Sequence, residues 1–321
     1  MTNKKIIFGL IGIALIIGLF YTSLYLMSSP KPNLIPVIFL LADGEDNEIN
    51  HQNPCWSPNS SKILFSSTNG SDTLNMWVMN NDSTNAHPLF GEIDADADYV
   101  HLPGGAWCSA TGEICFSSDR EDNDEIWYVE SDCQTLVRVT HNLSKDWEPS
   151  WSPDGEWLVF QSDRTGNWEI FKIRKNGTDL EQLTNNPAQD WQPAWSPDGS
   201  KILFQSDRSG NWQLYTIDNS SIESNRQDIS NNNTYEDTDA SWNPDGEYIV
   251  FSTDRSGNDA DIYIMKKDGT DKTQITNHPQ YDGAPSFAPN NQTIAFESLR
   301  SGEMRLWTVN LTNLEVSQLT Y

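Results

Sequence analysis

From residue 36 onward the chain alternates short apolar runs with clusters of Gly, Pro, Asn and Asp. One stretch holds four such runs, at Glu148–Ser152, Trp157–Ser162, Glu169–Arg174 and Glu181–Thr184. These runs are rich in aromatic and branched residues, which is typical of strands, and no 3.6-residue periodicity indicates a helix. Pro153-Asp154-Gly155 separates the first two runs as a tight turn, because Pro fixes φ and Gly accepts a positive φ. The pattern predicts four antiparallel strands.

The same four-strand pattern recurs along the chain. Each copy has an aromatic residue shortly before its first turn, and these anchors are separated by 51, 44, 44, 47 and 45 residues; they are Trp56, Trp107, Trp151, Trp195, Trp242 and Phe287. Four antiparallel strands at a spacing near 45 residues are typical of propeller blades, whereas a linear β-solenoid has a shorter period. The sequence therefore predicts an all-β, six-bladed β-propeller of four-stranded antiparallel blades.

The beginning of the chain has a different character. Lys4 and Lys5 precede an almost uncharged run from Ile6 to Met27, which is long enough to span a bilayer as one transmembrane helix. The lysines place residues 1–5 in the cytoplasm and the C-terminal body outside it. A cleaved signal peptide is the alternative, although no small-residue cleavage pattern or lipobox cysteine follows the run. We expect a signal-anchor at 6–27, a linker at 28–35 and an extracytoplasmic (periplasmic or cell-surface) propeller at 36–321.

Two segments bear on how the ring closes. Glu315–Thr320 is expected to form the outer strand of the last blade. Pro36–Leu41 is a further apolar strand candidate, and it would latch the two ends together if it paired with that blade, since an unpaired apolar edge invites aggregation.

Charge and cysteine content narrow the partners. The chain has 46 acidic and 20 basic residues, a formal net charge of −26. Such a surface repels nucleic acid and anionic headgroups and suits cations, basic protein patches or neutral ligands. Disulfides are permitted in an exported body, but the spacing selects no pairing and fits no zinc site, and buried free thiols remain the alternative. The four cysteines are Cys55, Cys108, Cys115 and Cys133.

The repeat unit resembles that of TolB-type propellers. The matching elements are Trp-Ser-Pro-Asp-Gly, an apolar strand, Ser-Asp-Arg-x-Gly-Asn, and a Gln-Leu-Thr strand, as at Gln182-Leu183-Thr184. The resemblance covers roughly residues 45 to 321 and implies six blades in an exported, partner-binding protein. The small N-terminal domain that accompanies bacterial TolB propellers has no room in this sequence, so the resemblance does not extend to the Tol role.

Strand topology assigns the motifs to two ends of the propeller. We call the end with the Pro-Asp-Gly turns the turn rim and the end with the Ser-Asp-Arg-x-Gly-Asn loops the loop rim. Four blades place an aspartate five residues before the anchor, on the loop rim: Asp146, Asp190, Asp237 and Asp282. Ringing the channel mouth, they would form a cation site, with calcium as a candidate, or a seat for a basic peptide. Alternatively each caps its loop or pairs with an arginine of the Ser-Asp-Arg motif.

Four tryptophans accompany these aspartates. Trp147 and Trp191 directly follow two of them, and Trp168 and Trp212 lie in neighbouring loops. They form either an aromatic patch for a protein or sugar, or packing between blades. The anchor tryptophans recur in register, and we expect them to be core.

No motif in the sequence indicates catalysis. There is no G-x-S-x-G elbow, HExxH motif or P-loop, and the histidines share no repeat position. We therefore predict a binding scaffold for an envelope protein or polysaccharide, with no cofactor, rather than an enzyme. The alternative is a carbohydrate-active lyase or hydrolase that uses His51 or carboxylates at the channel mouth.

Overall fold

A computed structural model describes residues 49–68, 74–90, 100–101, 106–121, 123–131, 134–232, 234–257 and 259–321. The predicted cytoplasmic tail, anchor and linker, and the strand predicted at Pro36–Leu41, lie outside these residues. Nothing in the described ranges forms a helix with the length and apolar character that a membrane span requires.

Six four-stranded antiparallel sheets follow one another along the chain, each built from one continuous segment. The first three blades are β1 (His51–Trp56), β2 (Lys62–Ser67), β3 (Asn75–Asn80) and β4 (His87–Pro88); β5 (Val100–His101), β6 (Ile114–Ser118), β7 (Glu125–Val129) and β8 (Leu136–Arg138); and β9 (Asp146–Trp151), β10 (Trp157–Ser162), β11 (Glu169–Arg174) and β12 (Glu181–Gln182). The others are β13 (Asp190–Trp195), β14 (Lys201–Ser206), β15 (Gln213–Asp218) and β16 (Gln227–Asp228); β17 (Asp237–Trp242), β18 (Tyr248–Thr253), β19 (Asp261–Lys266) and β20 (Thr273–Gln274); and β21 (Asp282–Phe287), β22 (Thr293–Ser298), β23 (Arg305–Asn310) and β24 (Val316–Gln318). The predicted six-bladed, all-β propeller is confirmed.

Each blade buries one phenylalanine of its second strand almost completely: Phe65, Phe116, Phe160, Phe204, Phe251 and Phe296. The hydrophobic clusters extend across blade boundaries. Val159 and Ile170 of the third blade, for example, share a cluster with Ile202 and Phe204 of the fourth. Because a single blade cannot cover its own apolar faces, contact between neighbours supplies the core.

The arginine of the Ser-Asp-Arg motif connects the strands of a blade. In the third blade, Arg164 Nη2 donates to both carboxylate oxygens of Asp146 at 2.8 and 2.9 Å. Its Nε donates to Ser162 Oγ at 2.9 Å, and the guanidinium lies 4.8 Å from the centre of the Phe171 ring. Arg208, Arg255 and Arg300 make corresponding contacts in the next three blades. The recurring motif thus has a structural explanation.

The ring closes by packing of the first blade against the last. Ile63, Phe65 and Met79 share a buried cluster with Leu306 and Leu319. The His51 N–H donates to the Met304 carbonyl at 3.1 Å, which repeats across the seam the bond that Asp190 N–H makes to Trp168 at 2.9 Å. Blade six is completed by β24, within the predicted Glu315–Thr320 segment. Within the described range, closure therefore needs no strand exchanged between the two end blades.

Three of the four cysteines are buried free thiols: Cys55, Cys108 and Cys115. Burial raises the pKa of the Cys55 thiol to about 11 and that of Cys115 well above its ordinary value, so both are protonated at neutral pH. Cys133 lies outside the described residues.

Candidate functional site in the central channel

A bulge interrupts the innermost strand of five blades at the same position. The register of the innermost strand against its neighbour shifts there, for example between Trp191 and Ala194. At the bulge, three residues before the anchor aromatic, a residue other than glycine adopts a positive φ of 44° to 54°: Asn53, Glu148, Gln192, Asp239 and Ala284. Such backbone conformations are uncommon for these residue types and cluster at functional sites.

Side chains of the preceding blade hold three of these bulges in place. Gln161 Oε1 accepts a hydrogen bond from the Gln192 N–H at 2.7 Å, and Gln205 Oε1 accepts one from the Asp239 N–H at 3.1 Å. At the seam, Glu297 Oε2 accepts one from the Asn53 N–H at 2.9 Å. The second strand of one blade thus fixes the channel wall of the next.

All five bulge residues line a cavity of about 470 Å³ on the channel axis. The cavity extends to the turn rim, where it is bordered by the prolines and serines of the turns, including Pro153 and Pro197. The six anchor aromatics surround it: Trp56, Trp107, Trp151, Trp195, Trp242 and Phe287. We call these the aromatic ring. Trp151, Trp195 and Phe287 are buried, but Trp56, Trp107 and Trp242 are only partly buried. All five anchor tryptophans belong to or pack against the hydrophobic clusters, as predicted, and they line the cavity as well.

Several polar groups of the cavity wall have no hydrogen-bond partner. The indole N–H groups of Trp56, Trp151, Trp195 and Trp242 are buried and unpaired, as are Asn53 Nδ2 and Gln192 Oε1. Asn53 is only 9% exposed. Buried polar groups are ordinarily satisfied, by water where the protein offers no partner. Unpaired indole N–H groups also occur away from the cavity, as in Trp127 and Trp307.

The charge of the lining is one-sided. Glu148 and Asp239 are the ionisable acids of the wall, and no lysine, arginine or histidine is among the described residues that line it. Burial raises the pKa of Asp239 above its ordinary value. Burial also raises the pKa of Tyr281 well above its ordinary value, with Asp239 and Glu297 adding to the effect. The Tyr281 hydroxyl therefore stays protonated, and it lies 3.4 Å from Asp239 Oδ2.

A glycine makes room for that tyrosine. Gly283 occupies the strand position that holds Trp147 and Trp191 in other blades. A Cβ atom at Gly283 would lie 1.9 Å from the Tyr281 hydroxyl oxygen. At this position the sixth blade thus has a phenol from the preceding loop in place of a tryptophan side chain.

The four predicted aspartates do not line this cavity. Their side chains are fully buried on the loop-rim side, and each is paired with an arginine: Asp146 with Arg164, Asp190 with Arg208, Asp237 with Arg255 and Asp282 with Arg300. Asp146 and Asp190 also accept hydrogen bonds from Asn142 and Asn186 at 2.7 and 2.8 Å. The geometry is that of the alternative interpretation, in which each aspartate pairs within its own blade. Among the described residues, no group of three His, Cys, Asp or Glu is arranged to hold a metal ion.

The four predicted tryptophans do come together. Trp147 stacks on Trp168 with ring centroids 4.9 Å apart, Trp168 meets the edge of Trp191 at 6.4 Å, and Trp191 lies 5.0 Å from Trp212. All four are partly buried. We call this row, which crosses the boundary between the third and fourth blades, the tryptophan arc.

His51, the candidate general acid–base of the alternative hypothesis, does not line the cavity. It packs edge-on against Phe65 with centroids 5.3 Å apart. Burial, assisted by Arg305, lowers the pKa of His51 to about 4, so the imidazole is neutral at physiological pH.

Sequence reasoning missed the bulge residues. Their signal was present in the copies, because the residue three places before each anchor is polar in four of them: Asn53, Glu148, Gln192 and Asp239. Polar side chains repeated inside an otherwise apolar innermost strand indicate a shared polar axis. The bulge itself, which turns these side chains into the channel, has no sequence signature as clear as a Pro-Asp-Gly turn.

Fold and site together define a propeller with an axial, aromatic-walled and acidic cavity. The chain belongs to the TolB beta propeller domain family, whose model matches residues 101–181, 165–240 and 220–321. None of the curated proteins matches it.

Solved structures resemble the chain in fold. TolB from Acinetobacter baumannii superposes with a TM-score of 0.65 at 18% identity over 88% of this chain and 66% of that protein. Oligogalacturonate lyase from Vibrio parahaemolyticus gives 0.56 at 14% identity over 86% of this chain and 80% of the lyase. A puromycin-hydrolyzing peptidase of Mycobacterium tuberculosis gives 0.57 at 12%, over 87% and 53%. The chain thus spans just under two-thirds of the length of the Acinetobacter protein. Because propellers of this shape occur in both binding proteins and enzymes, the similarity extends to fold alone.

Proposed function

We propose that this protein is an extracytoplasmic binding scaffold, held at the membrane by its N-terminal segment, whose axial cavity receives a cationic segment of a partner protein. The observation that carries the proposal is the composition of the cavity wall, with two carboxylates and six aromatic rings and no basic side chain among the described lining residues.

The aromatic ring favours a cation over a neutral side chain. A guanidinium or ammonium group is attracted to the face of tryptophan, and the attraction grows when water is excluded. Carboxylates at the bulge, Glu148 and Asp239, supply opposite charge further along the wall. The unpaired Gln192 Oε1 adds a hydrogen-bond acceptor suited to an N–H donor.

The cost of keeping Asp239 at this position supports the same conclusion. Burial disfavours its charged form, and its backbone holds φ = 50°. Strain and desolvation at one residue are destabilising, and sites that bind ligands commonly tolerate them. A bound cation would relieve the desolvation of the carboxylate.

A lyase acting on an oligogalacturonate is favoured less by this geometry. Such a substrate carries a carboxylate on each sugar, and the cavity wall presents further carboxylates without a compensating cation among its described residues. Like charges in a partly desolvated space repel one another strongly. The enzyme alternative therefore has the fold in its favour but not the charge of the cavity.

The test uses matched peptides on the full chain. An extended acetylated peptide with a central arginine is compared with the same peptide carrying citrulline, its neutral isostere, with binding followed by tryptophan emission. We expect the arginine peptide to bind at least about tenfold more tightly, a difference of about 1.4 kcal/mol. Asp239→Asn and Glu148→Gln should remove that preference.

Asp179→Asn is the control, since this exposed carboxylate pairs with Arg174 away from the cavity lining. Equal affinity for the two peptides, or loss of the preference in Asp179→Asn, would contradict the proposal. Release of unsaturated sugars from oligogalacturonate by the wild-type chain, abolished by Asp239→Asn, would support the lyase instead.

A further inference from the structure

The tryptophan arc has a feature that inter-blade packing does not explain. The loops that flank its two ends expose large apolar side chains, with Leu143 at 101% exposure and Tyr235 at 38%. Leu143 precedes Lys145, whose Nζ lies 5.2 Å from the centre of the Trp147 ring. At the other end, the Tyr235 carbonyl shares the Gln213 amide with the Trp212 carbonyl, at 2.7 and 2.6 Å.

Both loops are held in place by hydrogen bonds. The Asn123 amide donates to the carbonyls of Asn142 and Ser144, at 3.0 and 2.7 Å, on either side of Leu143. The Tyr235 N–H donates to Asn232 Oδ1 at 3.0 Å. Exposed apolar side chains on pre-organised loops lose little conformational entropy when they are covered. Aromatic residues of this kind are enriched at interface hot spots.

Several backbone and amide groups beside the arc are already paired within the protein. Gln189 Oε1 accepts a hydrogen bond from the backbone N–H of Trp168 at 3.1 Å, and Glu236 Oε2 accepts one from the backbone N–H of Trp212 at 2.6 Å. The Asn167 amide donates to the carbonyls of Asn186 and Ala188. A protein surface needs apolar contact with a polar margin, and the exposed Leu143 and Tyr235 supply the apolar contact.

The margin is acidic. The aspartates of the Ser-Asp-Arg loops surround the arc and are partly exposed: Asp163, Asp207 and Asp254. Each accepts a backbone N–H from the loop that leads into its own blade, at Lys145, Gln189 and Glu236 respectively, at 2.8 to 3.0 Å. With a chain charge of −26, this margin attracts basic groups.

From the exposed apolar residues, the arc between them and the acidic margin, we infer a second docking surface at the loop rim. It fits a protein that presents an apolar projection surrounded by lysines and arginines. The surface is separate from the cavity, because none of Trp147, Trp168, Trp191, Trp212, Leu143 and Tyr235 lines the cavity. A propeller with a site at each end can bridge two partners.

The test measures binding of defined peptides to the immobilised full chain. One probe has a leucine–tryptophan–leucine centre flanked by lysines; its matched forms replace the lysines with glutamates or the apolar centre with serines. We expect only the first to bind, and more weakly as salt is raised. Leu143→Ser and Tyr235→Ser should each weaken it about tenfold, and Trp212→Ala about thirtyfold, as expected for a hot spot.

Leu180→Ser is the control, because Leu180 is 45% exposed and lies in the turn before β12, away from the arc. Leu143 is fully exposed, so a folding defect would not confound Leu143→Ser. The Tyr235 ring lies 5.6 Å from the Arg255 guanidinium, so Tyr235→Ser is compared only after its Tm is shown to match that of the wild type. Asp239→Asn should leave this binding unchanged, which separates a failure here from a failure at the cavity. Equal binding of all three probes, or equal weakening in Leu180→Ser, would overturn the inference. So would a neutral oligosaccharide that binds the wild type and is lost in Leu143→Ser and Tyr235→Ser.

Discussion

The two ends of the central channel use similar residue types in opposite ways. At the loop rim the carboxylates are fully buried and satisfied, as Asp190 is by Arg208 and Asn186. Towards the turn rim the wall holds Asp239 and Glu148, with no lysine, arginine or histidine among the described lining residues. The arginine-paired aspartates of the loop rim stabilise the ring, whereas the acidic, aromatic wall of the cavity has the properties of a binding site. Recurrence in register shows that residues share an environment, and in a propeller that environment can be the wall of an axial cavity.

Breaking one of the buried Arg–Asp pairs of the loop rim should produce the largest loss of stability. Arg208→Ala leaves the Asp190 carboxylate, 0% exposed, without its cation. Removing one partner of a buried pair typically costs about 3–5 kcal/mol, so the urea midpoint should fall substantially. Lys267→Ala is the control, because its pair with Glu247 is more than half exposed on both sides and solvent screening leaves such a pair little effect on stability. Similar losses in the two variants would show that the loop-rim pairs do not stabilise the ring.

A smaller loss of folding stability is expected from Gly283→Ala. The new methyl group would clash with Tyr281, whose hydroxyl oxygen lies 1.9 Å from the Cβ position. Overpacking of this kind costs about 1–3 kcal/mol. Thermal unfolding of a double-mutant cycle with Tyr281→Ala tests the cause, because Gly283→Ala should be nearly neutral once the phenol is removed. An equal penalty in both backgrounds would place the strain elsewhere.

Asp239→Asn should separate stability from binding. Asparagine keeps the shape, tolerates φ = 50° and carries no charge to desolvate. At pH 7 we expect Tm to rise by about 2 °C, while the preference for the arginine peptide is lost. A lower Tm together with retained arginine preference would contradict both the desolvation argument and the proposed ligand.

The raised pKa of Asp239 predicts that the stability difference between the wild type and Asp239→Asn depends on pH. The folded-state pKa of Asp239 lies above its unfolded value, so the folded state binds the proton more tightly. Protonation of Asp239 therefore stabilises the folded state. This stabilisation is complete at a pH below the unfolded-state pKa and is lost as pH rises through the folded-state pKa. The stability advantage of Asp239→Asn should therefore shrink as pH falls from 7 towards 4, measured by urea unfolding of both proteins. An advantage that grows on acidification would reverse the assigned sign.

The sequence predicted the blades well because their determinants are local. Within the third blade, the two predicted strands Trp157–Ser162 and Glu169–Arg174 have the same bounds as β10 and β11. The choice between a free aspartate ring and Arg–Asp pairs depended on side chains 18 residues apart, such as Asp146 and Arg164. Prediction of the cavity required the bulges, which side chains of the neighbouring blade hold in place. Gln205 Oε1, for example, accepts a hydrogen bond from the Asp239 N–H. Contacts between copies leave little trace in the spacing of one copy.

Calcium provides the smallest expected effect and the last distinction between the two ends. To bind at the loop rim it would have to displace arginines that already contact fully buried carboxylates, at 2.8 Å for both Asp146 and Asp190. A divalent ion also needs six to eight oxygen ligands, and these aspartates belong to separate blades, each bonded within its own. We therefore expect millimolar calcium to change Tm by less than about 1 °C, since only a ligand that binds the folded state stabilises it. A larger rise in the wild type that is absent in Asp190→Asn would show that calcium competes with the arginines, and the buried aspartates would then form a cation site.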